Sequence, residues 1–217
     1  MSPLLAYGIA LFVFTANDVL FWLASGSYAM YAIDYGAKLV MLALMLAAGV
    51  HRMADPRPSA PVRLDTWAFW LAFAVVANLV LMFAAARLEE IVPPPQLFIW
   101  PKAKDLWLVS FDLSLGLALT AVVEEMMGRR LAWNVLAPRL AQPWGPLVIS
   151  SVLFGLGHWG QGPWNIASAT LGGAALFAAY RRTGSLALVI VAHYLVNLIV
   201  FGKWYGIAWL DPGFYFN

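Results

Sequence analysis

The sequence predicts an all-α fold, a polytopic transmembrane bundle of about seven helices. Hydrophobic residues make up 63% of the 217 residues and charged residues only 11%, with a mean hydropathy of +0.77. The chain therefore has too little polar surface to cover a soluble globule of its size. Its apolar residues also occur in runs of roughly 20, the length at which a helix crosses about 30 Å of hydrocarbon. Both observations indicate a helical membrane protein.

Seven apolar runs are expected to form the spans. They cover residues 3–24, 29–50, 66–86, 106–125, 146–159, 164–180 and 186–201. The first run lacks a basic leader and is long, so we interpret it as a retained span. The fifth is short, and the amphipathic, arginine-rich segment 128–142 is a candidate for an eighth, re-entrant or amphipathic element. We treat residues 1–217 as a single membrane domain, with leading spans in 1–105 and a core in 106–201.

The basic residues indicate an orientation, because cytoplasmic connections are enriched in lysine and arginine. With a cytoplasmic N-terminus, eight basic residues fall inside and four outside: Arg52, Arg57, Arg63, Arg129, Arg130, Arg139, Arg181 and Arg182 against Arg87, Lys102, Lys104 and Lys203. We predict a cytoplasmic N-terminus and an external C-terminus. The frequent arginine and alanine favour a bacterial inner membrane.

Several chemistries are excluded by what the sequence lacks. Without cysteine there is no disulfide, thiolate metal ligand or cysteine nucleophile. The chain contains no His-Glu-x-x-His, Gly-x-Gly-Asp or Gly-x-Ser-x-Gly motif of zinc, aspartyl or serine hydrolases. The net charge is only +2 and the basic residues are dispersed, so nucleic acid is not an expected partner.

A few polar side chains in or beside apolar runs are the candidate functional residues. An ionisable group inside a membrane costs a few kcal/mol and usually has a partner and a task. Glu124 and Glu125 point about 100° apart on a helix, so they cannot both reach one atom. Arg129 follows Glu125 by one turn and can pair with it, which leaves Glu124 as the freer carboxylate. His158 and His193 lie in later apolar runs.

Each candidate also has a purely structural interpretation. The two glutamates can mark the inner end of the fourth span, and His158 can be a structural group in the glycine-rich string 154–160. The glycines in that string would let a neighbouring helix approach closely. Asn197 follows His193 by one turn, and this pair can join two helices by hydrogen bonds.

Three segments, taken together, resemble a known family. Residues 124–129 (EEMMGR), 154–158 (FGLGH) and 193–197 (HYLVN) match, in order, the EExxxR, FxxxH and HxxxN signatures of the CAAX protease and bacteriocin-processing family, also called the Abi family. The resemblance covers residues 106–201. It implies an intramembrane glutamic endopeptidase that acts near a membrane-associated or lipidated substrate terminus, with the lipid bilayer and a peptide or lipidated protein as partners.

The resemblance also implies roles for individual residues. Glu124 is expected to activate water and His158 to hold it, while His193 and Asn197 donate to the oxyanion. The remaining motif residues support the site: Glu125, Arg129 and Phe154. No cofactor is expected, and the alternative is a zinc ion bound by Glu124, His158 and His193.

Two other function classes stay open. One is a non-catalytic membrane partner or immunity protein of the same fold. The other is a transporter with a polar path along Asn17, Asp18, Asp34 and Lys38, although Asp34 and Lys38 are four residues apart and can neutralise each other, and Asn17 and Asp18 can form a packing contact.

Catalysis places a geometrical demand on the fourth span. If that span ended at Glu125, Glu124 would lie near the surface, while His158 would lie about 18 Å deep at 1.5 Å per residue. We therefore predict that the helix begins later, near Phe111, and continues through Arg129. The expected cavity faces the cytoplasm and is lined by spans four, five and seven.

Overall fold

Seven helices follow one another within the part of the chain that the structure describes. The computed structural model describes residues 1–58, 62–94 and 97–207, and within these ranges there is no β-strand. The helices are α1 (Pro3–Leu23), α2 (Ala29–Ala47), α3 (Leu64–Ile91), α4 (Leu106–Leu136), α5 (Gly145–Leu156), α6 (Pro163–Thr183) and α7 (Leu186–Tyr205). Each helix overlaps one of the seven predicted apolar runs, and within the described residues the all-α class is confirmed.

Five of these helices, α1, α2, α3, α4 and α7, are long and apolar enough to cross a membrane. Helix α5 has only 12 residues, fewer than a crossing needs. Helix α6 has 21 residues but is rich in alanine, glycine and polar side chains. The structure thus supports an integral membrane bundle with five candidate spans, and crossings by α5 and α6 stay predictions.

Local signals in the sequence explain where several helices begin and end. Ser2, Asp105 and Ser185 each accept a backbone N–H in the first turn of α1, α4 and α7, which satisfies a donor that the helix itself leaves free. Gly184 ends α6 in the left-handed region, at φ +63°. Because Ser185 then caps α7 directly, α6 and α7 are joined by only these two residues and run antiparallel.

Helix α4 differs from the predicted fourth span. It is one helix of 31 residues with two π-helical stretches, Asp112–Gly116 and Met126–Leu131. The predicted end at residue 125 is wrong and so is the later start near Phe111, whereas the predicted continuation through Arg129 is confirmed. The segment predicted as a separate amphipathic element in part completes this helix. At 1.5 Å per residue, Glu124 consequently lies about 18 Å from the C-terminal end of α4. This equals the depth that we expected for His158.

Helix α6 packs against α3 and α5, and glycine allows the closest approach. A Cβ atom at Gly155 would lie 1.9 Å from Thr170 Oγ1 and 2.7 Å from the carbonyl oxygen of Ile166. No larger residue fits there without separating α5 from α6. The predicted use of the glycine-rich string for close helix contact is confirmed.

One end of the bundle is held together by a half-buried charge contact. The carboxylate of Asp55 accepts hydrogen bonds from Arg130 Nε at 2.7 Å and Nη2 at 2.5 Å, and from the Tyr180 hydroxyl at 2.6 Å. This contact ties the arginine-rich connection before α3 to α4 and α6. Arg129, in contrast, is fully buried inside the bundle, so counting it among the residues of a connection was wrong.

Candidate active site

One cavity of about 730 Å³ lies inside the bundle and receives side chains from all seven helices. The predicted catalytic residues line it: Glu124, His158, His193 and Asn197. Phe154 is also in its wall. Helices α4, α5 and α7 line the cavity as predicted, and α1, α2, α3 and α6 also contribute to its wall.

The cavity extends away from the arginine-rich end of the bundle. Its lining includes Ile99 and Trp100 in the connection before α4, Glu89 near the end of α3, and Trp204 near the end of α7. All four lie at the end where α4 begins, whereas Arg130 and Asp55 meet near the end where α4 finishes. A cytoplasmic arginine-rich end and a cytoplasm-facing cavity, both predicted above, are therefore incompatible.

Glu125 and Arg129 form the innermost part of the site. Both side chains are fully buried, with Arg129 Nε 2.9 Å from Glu125 Oε2 and Nη2 3.2 Å from Oε1. The predicted ion pair is confirmed. The guanidinium carbon of Arg129 also lies 5.0 Å from the centroid of the Phe154 ring, a cation–π distance that further stabilises the buried cation.

Glu125 also holds His193, a contact that sequence reasoning missed. His193 Nδ1 lies 2.8 Å from Glu125 Oε1. A carboxylate accepts hydrogen bonds, so Nδ1 carries the hydrogen and Nε2 is directed elsewhere. Nε2 lies 3.8 Å from Glu124 Oε2, too far for a direct hydrogen bond. Arg129, Glu125, His193 and Glu124 are thus successive neighbours in one chain of charged and polar side chains.

His158 is oriented by its own helix and by aromatic rings. Its Nδ1 lies 2.9 Å from the carbonyl oxygen of Phe154. Because a carbonyl only accepts, Nδ1 is the donor, and in the neutral ring Nε2 keeps a lone pair. The imidazole packs edge-on against Phe154 and Phe14, with centroids 4.9 Å and 5.4 Å away. The contribution of Phe14 from α1 was not predicted.

Asn197 offers a donor to whatever occupies the cavity. Its side chain is only 8% exposed, lies one turn after His193 and lines the cavity. Within the described part of the chain its amide makes no hydrogen bond to protein. Its N–H groups are consequently available to a bound molecule.

Polar residues of the leading helices reach the same cavity. Asn17, Asp18, Asp34 and Lys38 line it, and Asp34 and Lys38 form the anticipated ion pair. The sequence showed these polar residues within apolar runs, which made them candidates for a functional site. It did not indicate which helix they would face.

The zinc alternative can be compared with the geometry. Among residues 1–58, 62–94 and 97–207, no group of three or more His, Cys, Asp or Glu side chains is arranged to hold a metal ion. Glu124, His158 and His193 share the cavity without forming such a cluster.

Apolar helices that enclose a carboxylate, two imidazoles and an amide define an integral membrane protein with a buried polar site. Residues 106–199 match the family described as type II CAAX prenyl endopeptidase Rce1-like. The matched segment is a little under half of the chain, and this match confirms the resemblance to the CAAX protease family drawn from the three motifs. The family implies a membrane protease. No curated protein and no solved structure matches the chain.

Proposed function

We propose that the protein is an intramembrane endopeptidase that hydrolyses a peptide bond near a membrane-associated or lipidated substrate terminus. The observation that carries this proposal is that four polar side chains line one internal cavity: Glu124, His158, His193 and Asn197. These are the groups that hydrolysis without a covalent intermediate needs.

The reaction begins with a water molecule between Glu124 and His158. The Glu124 carboxylate takes one proton, while the lone pair of His158 Nε2 accepts a hydrogen bond from the other hydrogen. The hydroxide adds to the carbonyl carbon of the scissile bond and creates an oxyanion. Glu124 then delivers its proton to the amide nitrogen, the C–N bond breaks, and the products are an amine and a carboxylic acid, which releases its remaining proton to solvent to become a carboxylate.

The oxyanion receives its hydrogen bonds from α7. Asn197 donates through its amide, and His193 donates through Nε2 when that nitrogen is protonated. The Glu125 carboxylate at Nδ1 offsets the positive charge that His193 then carries, and Arg129 fixes Glu125 in turn. Donors held rigidly in a water-poor site stabilise developing charge far better than mobile solvent does.

The substrate class is proposed from the cavity wall. Phe14, Phe21, Phe98, Phe201 and Trp204 line the cavity, and aromatic surface suits an apolar peptide segment or a lipid chain. The proposed setting is the bacterial inner membrane, with a cytoplasmic N-terminus and an external C-terminus.

The proposed mechanism uses no metal, and a zinc ion held by Glu124, His158 and His193 is the alternative. Dialysis against a strong chelator distinguishes the two. A zinc enzyme loses activity and regains it when zinc is added back, whereas the mechanism proposed here is unaffected.

The substitution Glu124→Gln tests the proposal. Expressed in cells, this variant should retain uncleaved substrate, which mass spectrometry of the bound peptides identifies. With that peptide, purified wild type should show cleavage, and Glu124→Gln should lower kcat by roughly 10²- to 10⁴-fold because the general base is lost.

Glu90→Gln is the matched control, because Glu90 is an exposed partner of Arg87. It should cleave at the wild-type rate. Full turnover by Glu124→Gln would contradict the mechanism, and a cellular effect that persists in Glu124→Gln would favour the non-catalytic partner.

A further inference from the structure

The turn that follows His158 is hydrogen-bonded to α1, a helix that lies outside the residues matched by the family. Helix α5 ends at Leu156, and a short 3-10 turn, Trp159–Gln161, begins immediately after His158. The backbone N–H of Gly160 donates to Asp18 Oδ2 at 2.9 Å. The indole N–H of Trp159 donates to the carbonyl oxygen of Thr15 at 2.9 Å. Two hydrogen bonds thus join the residues after His158 to one stretch of α1.

The same stretch of α1 contacts the imidazole ring itself. Phe14 precedes Asp18 by four residues and lies on the same helix face. Its ring meets the His158 ring edge-on at 77°, with centroids 5.4 Å apart, and stacks on Phe154 at 5.8 Å. Helix α1 therefore supports His158 through both its ring and its main chain.

Glycine is required where α1 passes over this turn. A Cβ atom at Gly157 would lie 2.1 Å from the Phe14 ring. At Gly160 it would lie 2.8 Å from Asp18 Oδ2 and 2.7 Å from the Phe98 ring. The two glycines allow α1 to approach the turn so closely that its side chains fix the course of the backbone.

Asp18 is buried, with 5% of its surface exposed. A buried carboxylate is destabilising unless it is hydrogen-bonded. Among the described residues, the hydrogen bond to Asp18 comes from the main chain of the His158 turn, so this cavity-lining carboxylate links α1 to that turn. A bond to a charged acceptor is also about twice as strong as one between neutral groups.

We propose that Asp18 is a positioning residue for His158: by holding the backbone N–H of Gly160, its carboxylate fixes the point from which the imidazole reaches into the cavity. The proposal rests on the hydrolytic function proposed above. A misplacement of about 1 Å at a reacting group can lower a rate by about 10²-fold, so a turn that shifts when Asp18 is removed impairs catalysis through the position of His158.

The first test compares Asp18→Leu with Asp18→Asn in the full chain in detergent or liposomes. Asp18→Leu removes the acceptor, and we expect kcat to fall by about 10- to 100-fold with little change in KM, the effect typical of a residue that orients a site group. Asp18→Asn keeps an acceptor oxygen and should restore most of that loss. A kcat for Asp18→Leu equal to that of wild type would overturn the proposal.

A double-mutant cycle separates positioning from general structural damage. In a His158→Ala background there is no imidazole to position, so Asp18→Leu should lower the residual kcat by less than about twofold. A purely structural role predicts the same fold-change in both backgrounds, and that result would refute the assignment.

Imidazole NMR provides a readout that does not depend on proteolysis. The chain has three histidines, so ¹⁵N-labelled histidine gives few signals, which single His→Gln variants assign. Asp18→Leu should shift the ring signals of His158 and leave those of His51 unchanged. If wild type cleaves no peptide, the proposed function fails while this measurement still decides the position of His158; an unchanged His158 signal rejects the role of Asp18.

Asp55→Leu is the control for loss of stability. Asp55 is also a hydrogen-bonded aspartate, but it accepts from Arg130 and Tyr180 near the far end of α4. We expect Asp55→Leu to lower the melting temperature while the folded fraction keeps the wild-type kcat and His158 signal. If Asp55→Leu reproduced the His158 shift, the effect of Asp18 would be one of general destabilisation and the proposal would be wrong.

Discussion

Two adjacent glutamates in α4 have different surroundings. Glu125 is completely enclosed, with Arg129 on one side and His193 on the other. Glu124 borders the cavity and has Nε2 of His193 as a neighbour at 3.8 Å. The 100° between successive helical residues explains why one carboxylate supports the site while the other is available to a substrate.

At this residue scale we predict that stability and activity respond differently when the pair of Glu125 and Arg129 is removed. Glu125→Gln leaves Arg129 buried without its countercharge, which should lower the free energy of unfolding by about 3–5 kcal/mol. The double variant Glu125→Gln/Arg129→Met removes both charges and should regain most of that stability. Its kcat should nevertheless stay about 10- to 100-fold below wild type, because His193 has lost the carboxylate that orients it.

Thermal unfolding in detergent and cleavage of the trapped peptide measure the two effects. A double variant that recovers wild-type kcat would show that the Glu125 carboxylate does not act through His193. Asp65→Asn serves as the control for charge removal, because Asp65 and its ion-pair partner Arg63 are both exposed. It should change stability by less than about 0.5 kcal/mol.

At the scale of elements, the site depends on how closely α5 is packed. The helix is short, and its contact with α6 is possible because Gly155 has no side chain to meet Thr170. The loop that follows brings His158 to the depth that Glu124 reaches in the middle of the long helix α4. His158, just after the short helix α5, and Glu124, in the long helix α4, thus lie at the same depth in the bundle.

We predict that Gly155→Ala destabilises the bundle. Its Cβ would lie 1.9 Å from Thr170 Oγ1 and 2.7 Å from a backbone oxygen of α6, so the helices must separate, at a cost of about 1–3 kcal/mol for overpacking. Gly36→Ala in α2 is the matched control, since nothing lies within 4 Å of the added methyl group. There we expect no loss, or a gain of about 0.5–1 kcal/mol from the better helix former. Equal melting temperatures for the two variants would contradict the packing argument.

At the scale of the whole molecule, the cavity and the arginine-rich connections lie at opposite ends of the bundle. The absence of cysteine makes the orientation directly measurable. We predict that Arg57→Cys is labelled by a membrane-impermeant maleimide only after the cytoplasmic side is opened, whereas Lys104→Cys is labelled in intact cells, because basic connections stay in the cytoplasm. Both positions are exposed.

The reverse labelling pattern would place the cavity end toward the cytoplasm and the N-terminus outside. Membranes opened before labelling serve as the control, because both cysteines should then react. The result also decides from which side a substrate terminus enters, since Ile99, Trp100 and Trp204 line the cavity near the Lys104 end.

The family match begins at residue 106, yet three earlier helices complete the cavity. Helix α1 supplies Phe14 and Asp18, α2 supplies Asp34 and Lys38, and α3 supplies Glu89. The matched segment contributes the motif residues, but the cavity that surrounds them belongs to the whole chain.

The sequence alone determined the membrane class, the positions of the helices and the pairing of Glu125 with Arg129. These follow from local physics: hydropathy over about 20 residues gives a span, and helical spacing gives the pair. Three short motifs also identified the family, because their order and spacing are read directly from the chain.

Only the tertiary structure decided which helix faces meet. Hydropathy places the end of a span where polar residues begin, so the fourth span was predicted to end at residue 125. In the structure, other helices bury Glu125 and Arg129, and α4 therefore continues to Leu136. The contact of Glu125 with His193 and that of Asp18 with Gly160 join residues far apart in the chain. Such contacts depend on helix rotation and packing, for which a single sequence carries no local signal.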